Sequence, residues 1–253
     1  MFPVVQTIRA GILATNGFAR NYPRQTIAAV AIYAASAAIL VLVPPGPHLG
    51  FFVGGEIRTW VGSMLALFLL APVWTSLCRF VILGDTERRY WPPDRRDRRV
   101  LTVLIILSAI AMTGSLPFVV FVDTLQRLTI SSSWIAGMLA CVVMARLLFM
   151  WLALRLSIAP AMGAAGTRPN ALDTSFAYTR RAVPRLFAAK ALVYLPLIVL
   201  AGLLMLLSPL TGTGLALLAH PATVALMTAA NAATDFVDTA TFSLVARHLA
   251  RKP

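Results

Sequence analysis

Four polar or charged side chains interrupt long apolar stretches of this sequence. Asn231, Asp235 and Asp238 lie at positions i, i+4 and i+7 of one stretch, so a helix places all three on one face. Arg146 interrupts another stretch, between Ala145 and three consecutive large apolar residues. A charged side chain near the centre of a bilayer costs at least about 2.5 kcal/mol and normally faces a partner inside a helix bundle. The chemistry to expect is therefore ion pairing, or a polar path, within a membrane domain.

Arg146 and Asp238 are predicted to form an ion pair, with Asp235 and Asn231 completing a polar cluster. Arg146 lies nine residues before Arg155, and Asp238 lies nine residues before Arg247. Because each of these later arginines marks the inner end of its segment, both charges lie about 13 Å from the inner interface at about 1.5 Å rise per residue. The cluster serves either as a functional polar site or as a pair that only fixes helix packing.

The elements that carry these residues are six apolar segments. A membrane-spanning helix needs about 20 apolar residues. Only 12% of the residues are charged, against about 25% in soluble domains, so the chain has too little charge to cover a water-facing surface. We therefore predict an all-α, polytopic membrane helix bundle. Its six transmembrane helices are Thr26–Val43, Trp60–Leu83, Val100–Val122, Trp134–Ile158, Leu186–Leu207 and Pro221–Ala246.

The basic residues predict how the six segments are oriented. Nineteen of the 22 Lys and Arg residues fall into four patches that alternate with the apolar segments, and the third patch runs from Arg155 to Lys190. The opposite loops hold only Arg58 and Arg127. Since Lys and Arg accumulate in cytoplasmic loops, both termini are predicted to be cytoplasmic. A net charge of +13 placed beside apolar segments favours membrane lipids as partners over nucleic acid.

Two further segments have the spacing of short amphipathic helices on the cytoplasmic side of the membrane. Arg180, Arg181 and Arg185 accompany the second of them and are predicted to face lipid headgroups. A loop with scattered apolar residues remains the alternative. The apolar faces would be Phe2, Val5, Ile8 and Ile12 in the first segment, and Leu172, Phe176, Val183 and Phe187 in the second.

A short internal repeat precedes two of the predicted spans. Arg20-Asn-Tyr-Pro-Arg24 stands before the first span and Arg181-Ala-Val-Pro-Arg185 before the fifth. In each copy the proline stands at a helix start, where its missing N–H matters least. The chain is predicted to be one membrane domain over residues 1–253, composed either of three units (1–83, 84–166 and 167–253) or of segments that are alike by chance.

Signatures of catalysis are weak in this sequence. His48, His220 and His248 lie far apart and lack metal-ligand spacing, and no Gly-x-Ser-x-Gly, Walker or Rossmann motif is present. Asp235 and Asp238 invite comparison with the metal-binding aspartates of lipid-modifying transferases, but two carboxylates alone make a weak metal site. We predict no catalytic residue, no metal site and no cofactor.

Two stretches, Leu154–Pro160 and Ala171–Arg180, resemble bacterial multi-span proteins similar to the membrane domain attached to some glycerophosphoryl diester phosphodiesterases. Those proteins have an Arg-Leu-x-Leu-x-x-Pro span end, followed by a short Ser-x-x-x-Thr-Arg-Gly helix. Ser175 and Thr179-Arg180 fit that pattern, whereas Arg181 stands where Gly is usual, and Val245–Leu249 resembles the family's ending. The resemblance covers the C-terminal half and implies a six-span bacterial inner-membrane protein. The phosphodiesterase chemistry belongs to a soluble domain outside this sequence, so no catalytic residue is carried over.

The first functional expectation is a non-enzymatic, multi-pass inner-membrane protein that interacts with lipids or serves as a membrane subunit for a protein partner. The alternative is a small transporter or permease in which Arg146, Asp235 and Asp238 line a polar path. A third class, a membrane-embedded lipid enzyme, requires a divalent metal ion at the two aspartates.

Overall fold

A computed structural model of the chain describes residues 2–42, 51–84, 95–127, 132–166, 171–210 and 221–250. These residues form nine α-helices and no β-strand, which confirms the all-α prediction. The helices are α1 (Val4–Asn21), α2 (Pro23–Leu42), α3 (Phe51–Leu83), α4 (Arg95–Arg127), α5 (Ser132–Leu156), α6 (Ala159–Ala165), α7 (Ala171–Thr179), α8 (Val183–Leu210) and α9 (Pro221–Ala250).

Apart from Ser157 and Ile158, which lie in the turn after α5, the described parts of the six predicted spans lie within six long helices, α2, α3, α4, α5, α8 and α9. Among the described residues, three segments are long and apolar enough to cross a membrane: Met64–Leu83, Gly137–Ala165 and Val183–Leu204. They belong to α3, to α5 together with the short helix α6, and to α8. Helix α9 has the right length but carries several Asn, Asp and Thr residues.

Helix α3 forms the centre of the bundle and packs against α2, α4, α6 and α9. Its inner half buries Leu70, Val73 and Leu77 almost completely. Trp74, one turn below Leu70, meets Phe236 of α9 edge to face at 4.8 Å between ring centroids. These large side chains hold α3 and α9 at a fixed spacing, and that spacing positions the polar residues of α9.

Helix α1 packs along the C-terminal half of α9. Gly11 faces Thr241 so closely that an added Cβ would collide with the threonine hydroxyl. Of the four residues in the predicted apolar stripe of α1, Phe2 is buried, whereas Val5 is 71% exposed and Ile12 is 44% exposed. The close approach at Gly11 turns a different face of α1 toward the bundle.

The end of α5 is held by α7 through hydrogen bonds to Arg155. Ser175 Oγ donates to the Arg155 carbonyl oxygen at 2.7 Å, and Thr179 Oγ1 lies 2.9 Å from the same oxygen. The Arg155 guanidinium donates to the Phe176 carbonyl oxygen and lies 3.7 Å from the centre of the Phe176 ring. The Ser175 hydroxyl thus satisfies a carbonyl at the end of α5, where helix carbonyls lack partners within the helix, and Thr179 Oγ1 accepts from Arg155 Nε at 3.3 Å.

The second predicted amphipathic helix is shorter than its apolar spacing indicated. Helix α7 ends at Thr179 and α8 begins at Val183, so Val183 and Phe187 belong to a different helix from Phe176. The residues that α7 buries are Ser175 and Thr179. The sequence pattern missed this polar face because its burial depends on the hydrogen bonds to α5.

Candidate functional site

The polar cluster lies where α2, α8 and α9 meet, and Asp235 is at its centre. Tyr33 Oη of α2 donates a hydrogen bond to Asp235 Oδ2 at 2.5 Å. Tyr194 Oη of α8 donates to Asp235 Oδ1 at 2.9 Å. Both carboxylate oxygens therefore have a phenolic donor, and three helices are tied together at one side chain.

Asp238, almost one turn further along α9, forms an ion pair with Lys190 of α8. Lys190 Nζ lies 2.9 Å from Asp238 Oδ2, with 41% of the lysine side chain and 16% of the aspartate side chain exposed. The ammonium also lies 5.0 Å from the centre of the Tyr194 ring and 5.4 Å from that of Phe242. These rings add cation–π attraction to the ion pair.

The predicted Arg146–Asp238 ion pair is wrong, because Lys190 occupies the position at Asp238 that the prediction gave to Arg146. Arg146 is exposed on the outside of α5. Asn231 lies one turn before Asp235 on α9 and is half-buried, but no hydrogen bond joins it to the other described members of the cluster. The structure thus brings together Asp235 and Asp238 and leaves Arg146 outside.

Sequence reasoning missed Lys190, Tyr33 and Tyr194. Lys190 was assigned to a cytoplasmic patch, although it lies seven residues inside α8, about 10 Å from the helix start at about 1.5 Å per residue. The internal repeat could have indicated the two tyrosines as equivalent residues. Tyr33 stands ten residues after Pro23, and Tyr194 stands ten residues after Pro184. Two equivalent positions of the repeat therefore converge on one carboxylate.

A cavity of about 280 Å³ adjoins the Lys190–Asp238 pair. Its polar lining includes Lys190, Asp238, Thr239 and Ser243, and most of the remaining wall is apolar. Asp238 Oδ1 is buried and has no hydrogen-bond partner among the described residues. The apolar part of the wall includes Trp74, Leu104, Leu107, Met150 and Phe242.

This arrangement suits an amphipathic molecule better than a metal ion. Three of the four carboxylate oxygens of Asp235 and Asp238 are taken by two phenols and an ammonium. Within the described ranges, no three His, Cys, Asp or Glu side chains gather in a group that could hold a metal ion. A pocket of mostly apolar wall with a few convergent polar groups is typical of sites for small organic molecules.

The arginines predicted to face lipid headgroups differ in their surroundings. Arg180 and Arg181 are exposed in the turn between α7 and α8. Arg185 is half-buried, and its Nη1 donates to the Phe2 carbonyl oxygen at 3.2 Å. Arg185 therefore joins the start of α8 to the segment that precedes α1.

Comparisons of the chain with protein-family models, with curated proteins and with solved structures found no match.

Proposed function

We propose that this chain is a six-span, multi-pass protein of the bacterial inner membrane that binds a small amphipathic molecule inside its helix bundle and catalyses no reaction. Three apolar segments long enough to cross a membrane support the membrane location. The distribution of Lys and Arg supports cytoplasmic termini. The bacterial inner membrane follows from the resemblance of the C-terminal half.

The observation that carries the proposal is the Lys190–Asp238 ion pair in the wall of a largely apolar cavity. A largely apolar wall with a few polar groups binds the apolar body of a ligand and orients its polar group. Lys190 Nζ lies 2.9 Å from Asp238 Oδ2, and 41% of the lysine side chain is exposed. The expected ligand therefore combines an apolar body with one polar group.

Filling the cavity tests this proposal. Ala153 lines the cavity from α5, whereas Ala140 lies on the same helix, is exposed and is absent from the cavity wall. We expect the purified protein to retain a bound lipid or other amphipathic molecule in native mass spectrometry. Ala153→Phe should lose that mass and Ala140→Phe should keep it. If Ala153→Phe retains the same bound mass, the cavity is not the binding site and the proposal is wrong.

A second candidate function is transport, and the placement of the two tyrosines favours it. Tyr33 and Tyr194 occupy equivalent repeat positions and meet at Asp235. Many transporters place their substrate and ion sites near the bilayer midplane, where internal repeats meet. In this reading Asp235 and Asp238 line a path that water reaches from one side of the membrane.

Cysteine accessibility distinguishes transport from a sealed binding site. Single cysteines from Asn231 to Thr241, in a chain with Cys78 and Cys141 replaced by Ala, would be exposed to a membrane-impermeant thiol reagent. A water-filled path predicts labelling that recurs every three to four residues along α9. Absence of labelling along the whole segment would exclude the transport function and leave the sealed site.

A further inference from the structure

Helix α5 is the least covered of the three segments able to cross a membrane. In the most apolar 18-residue stretch of each segment, 11% of the residues are buried inside the bundle for α5, against 56% for α3. Its buried side faces α4, where Phe149 packs against Gly114. The C-terminal end of α5 also contacts α7. Between Gly137 and Trp151 the exposed side chains of α5 are apolar, with one exception.

That exception, Arg146, lies in a stripe of exposed residues along α5. Leu139, Val143, Arg146 and Met150 follow one another at spacings of four, three and four residues. All four are exposed. We refer to these four residues as the α5 stripe. Such spacing keeps the side chains in one row and is the pattern by which one helix docks against another.

Arg146 lies too deep in the membrane to be a simple surface residue. It is nine residues from Arg155 at the inner end of α5, about 13 Å at about 1.5 Å per residue, in a hydrocarbon layer about 30 Å thick. No described carboxylate pairs with it, since Asp238 pairs with Lys190 and Asp235 with two tyrosines. A charged side chain at this depth normally has a partner.

We propose that the α5 stripe is the docking surface for a transmembrane helix of another protein, and that this helix carries one carboxylate near its middle. Leu139, Val143 and Met150 supply the apolar contact, and Arg146 supplies the charge that selects the partner. Met150 also lines the cavity, so the docked helix lies at the cavity's edge. The proposal requires the membrane location of α5 but not the binding of a ligand.

Charge complementarity favours this occupant over a second copy of the chain. A two-fold interface brings the same patch of both copies together, so it would place one Arg146 against the other. Like charges that face each other in a low-dielectric medium repel strongly. A carboxylate at the same depth satisfies the guanidinium with two parallel hydrogen bonds.

The test uses the full-length chain in phosphatidylcholine vesicles and measures energy transfer to synthetic transmembrane peptides. Three peptides of Leu and Ala differ only at the central residue, which is Asp, Leu or Lys. The Asp peptide should bind about tenfold more tightly than the Leu peptide, and the Lys peptide more weakly still. Arg146→Leu should remove this preference, whereas Arg146→Lys should retain part of it. Arg180→Leu, which removes an exposed arginine on another segment, should leave the preference unchanged.

Several results would overturn the proposal. Equal binding of the Asp and Leu peptides to the unaltered chain shows that Arg146 selects nothing. A preference that survives Arg146→Leu shows that the peptide docks elsewhere. Energy transfer between labelled copies of the chain that depends on Arg146 identifies a second copy as the occupant. Loss of the preference in vesicles containing phosphatidylglycerol identifies an anionic lipid headgroup as the partner.

Discussion

Replacing Lys190 and Asp238 together should destabilise the bundle by less than the sum of the two single replacements. Breaking a fully buried ion pair costs about 3–5 kcal/mol, because the remaining charge stays unpaired. Since 41% of the Lys190 side chain is exposed, we expect a smaller loss of about 2 kcal/mol for Lys190→Met. Asp238→Leu leaves a lysine that water or headgroups can partly solvate, so about 1 kcal/mol is expected. The double variant should also lose only about 1 kcal/mol, which makes the coupling about 2 kcal/mol.

The measurement is the free energy of unfolding in mixed micelles with increasing sodium dodecyl sulfate, followed by tryptophan fluorescence. The control is a second double-mutant cycle, which consists of Arg146→Leu, Asp238→Leu and the variant with both replacements. Because Arg146 is exposed and Asp238 pairs with Lys190, this second cycle should be additive within about 0.5 kcal/mol. Additive effects in the Lys190 cycle, or a larger coupling in the Arg146 cycle, would refute the placement of the ion pair.

Three further predictions concern helix contacts and are tested by the same unfolding measurement. Gly11→Ala should lower the free energy of unfolding by about 1–3 kcal/mol, because its added Cβ meets the side chain and backbone of Thr241 in α9. Gly17→Ala should leave the free energy of unfolding unchanged, because the nearest atom to its added Cβ lies at 3.6 Å. An equal response of the two glycines would contradict the α1–α9 contact. Thr179→Val should lower the free energy of unfolding by about 1–2 kcal/mol and raise the rate of backbone hydrogen exchange in α7. An unchanged exchange rate would show that the Thr179 hydroxyl does not fix α7 to α5. Tyr33→Phe and Tyr194→Phe should each cost about 1–3 kcal/mol, since each leaves one carboxylate oxygen unpaired, and two neutral results would refute the cluster.

The sequence predicted the helices more reliably than their contacts. Apolar length and low charge depend only on local composition, and they identified six segments that coincide with six long helices, except that the fourth segment extends two residues past α5. The repeated prolines also marked helix starts, because α2 begins at Pro23 and α8 begins one residue before Pro184. By contrast, the apolar spacing of the second amphipathic segment suggested one continuous face across the turn between α7 and α8. Spacing alone does not reveal such a break.

The buried polar contacts were harder to predict than the apolar ones. Ser175 and Thr179 are fully buried, although their residue types are mostly exposed in proteins. Their burial is favourable only because α7 meets the end of α5, where an unpaired carbonyl needs donors. The same holds for Tyr33 and Tyr194. Each lies in an apolar segment, and only the packing of α2 and α8 against α9 brings their hydroxyl groups to the Asp235 carboxylate.

The sequence by itself determined that Asp235 and Asp238 share one face of a long helix, since three residues are almost one helical turn. It also placed Arg146 and Asp238 at the same nine-residue distance from the arginine near the end of each segment. Only the tertiary structure decided which cation meets Asp238, because depth does not specify which helices are neighbours or which way they face. Arg146 and Lys190 both lie well inside their helices. The packing of α8 against α9 places Lys190 beside the carboxylate, and the packing of α5 against α4 leaves Arg146 outside.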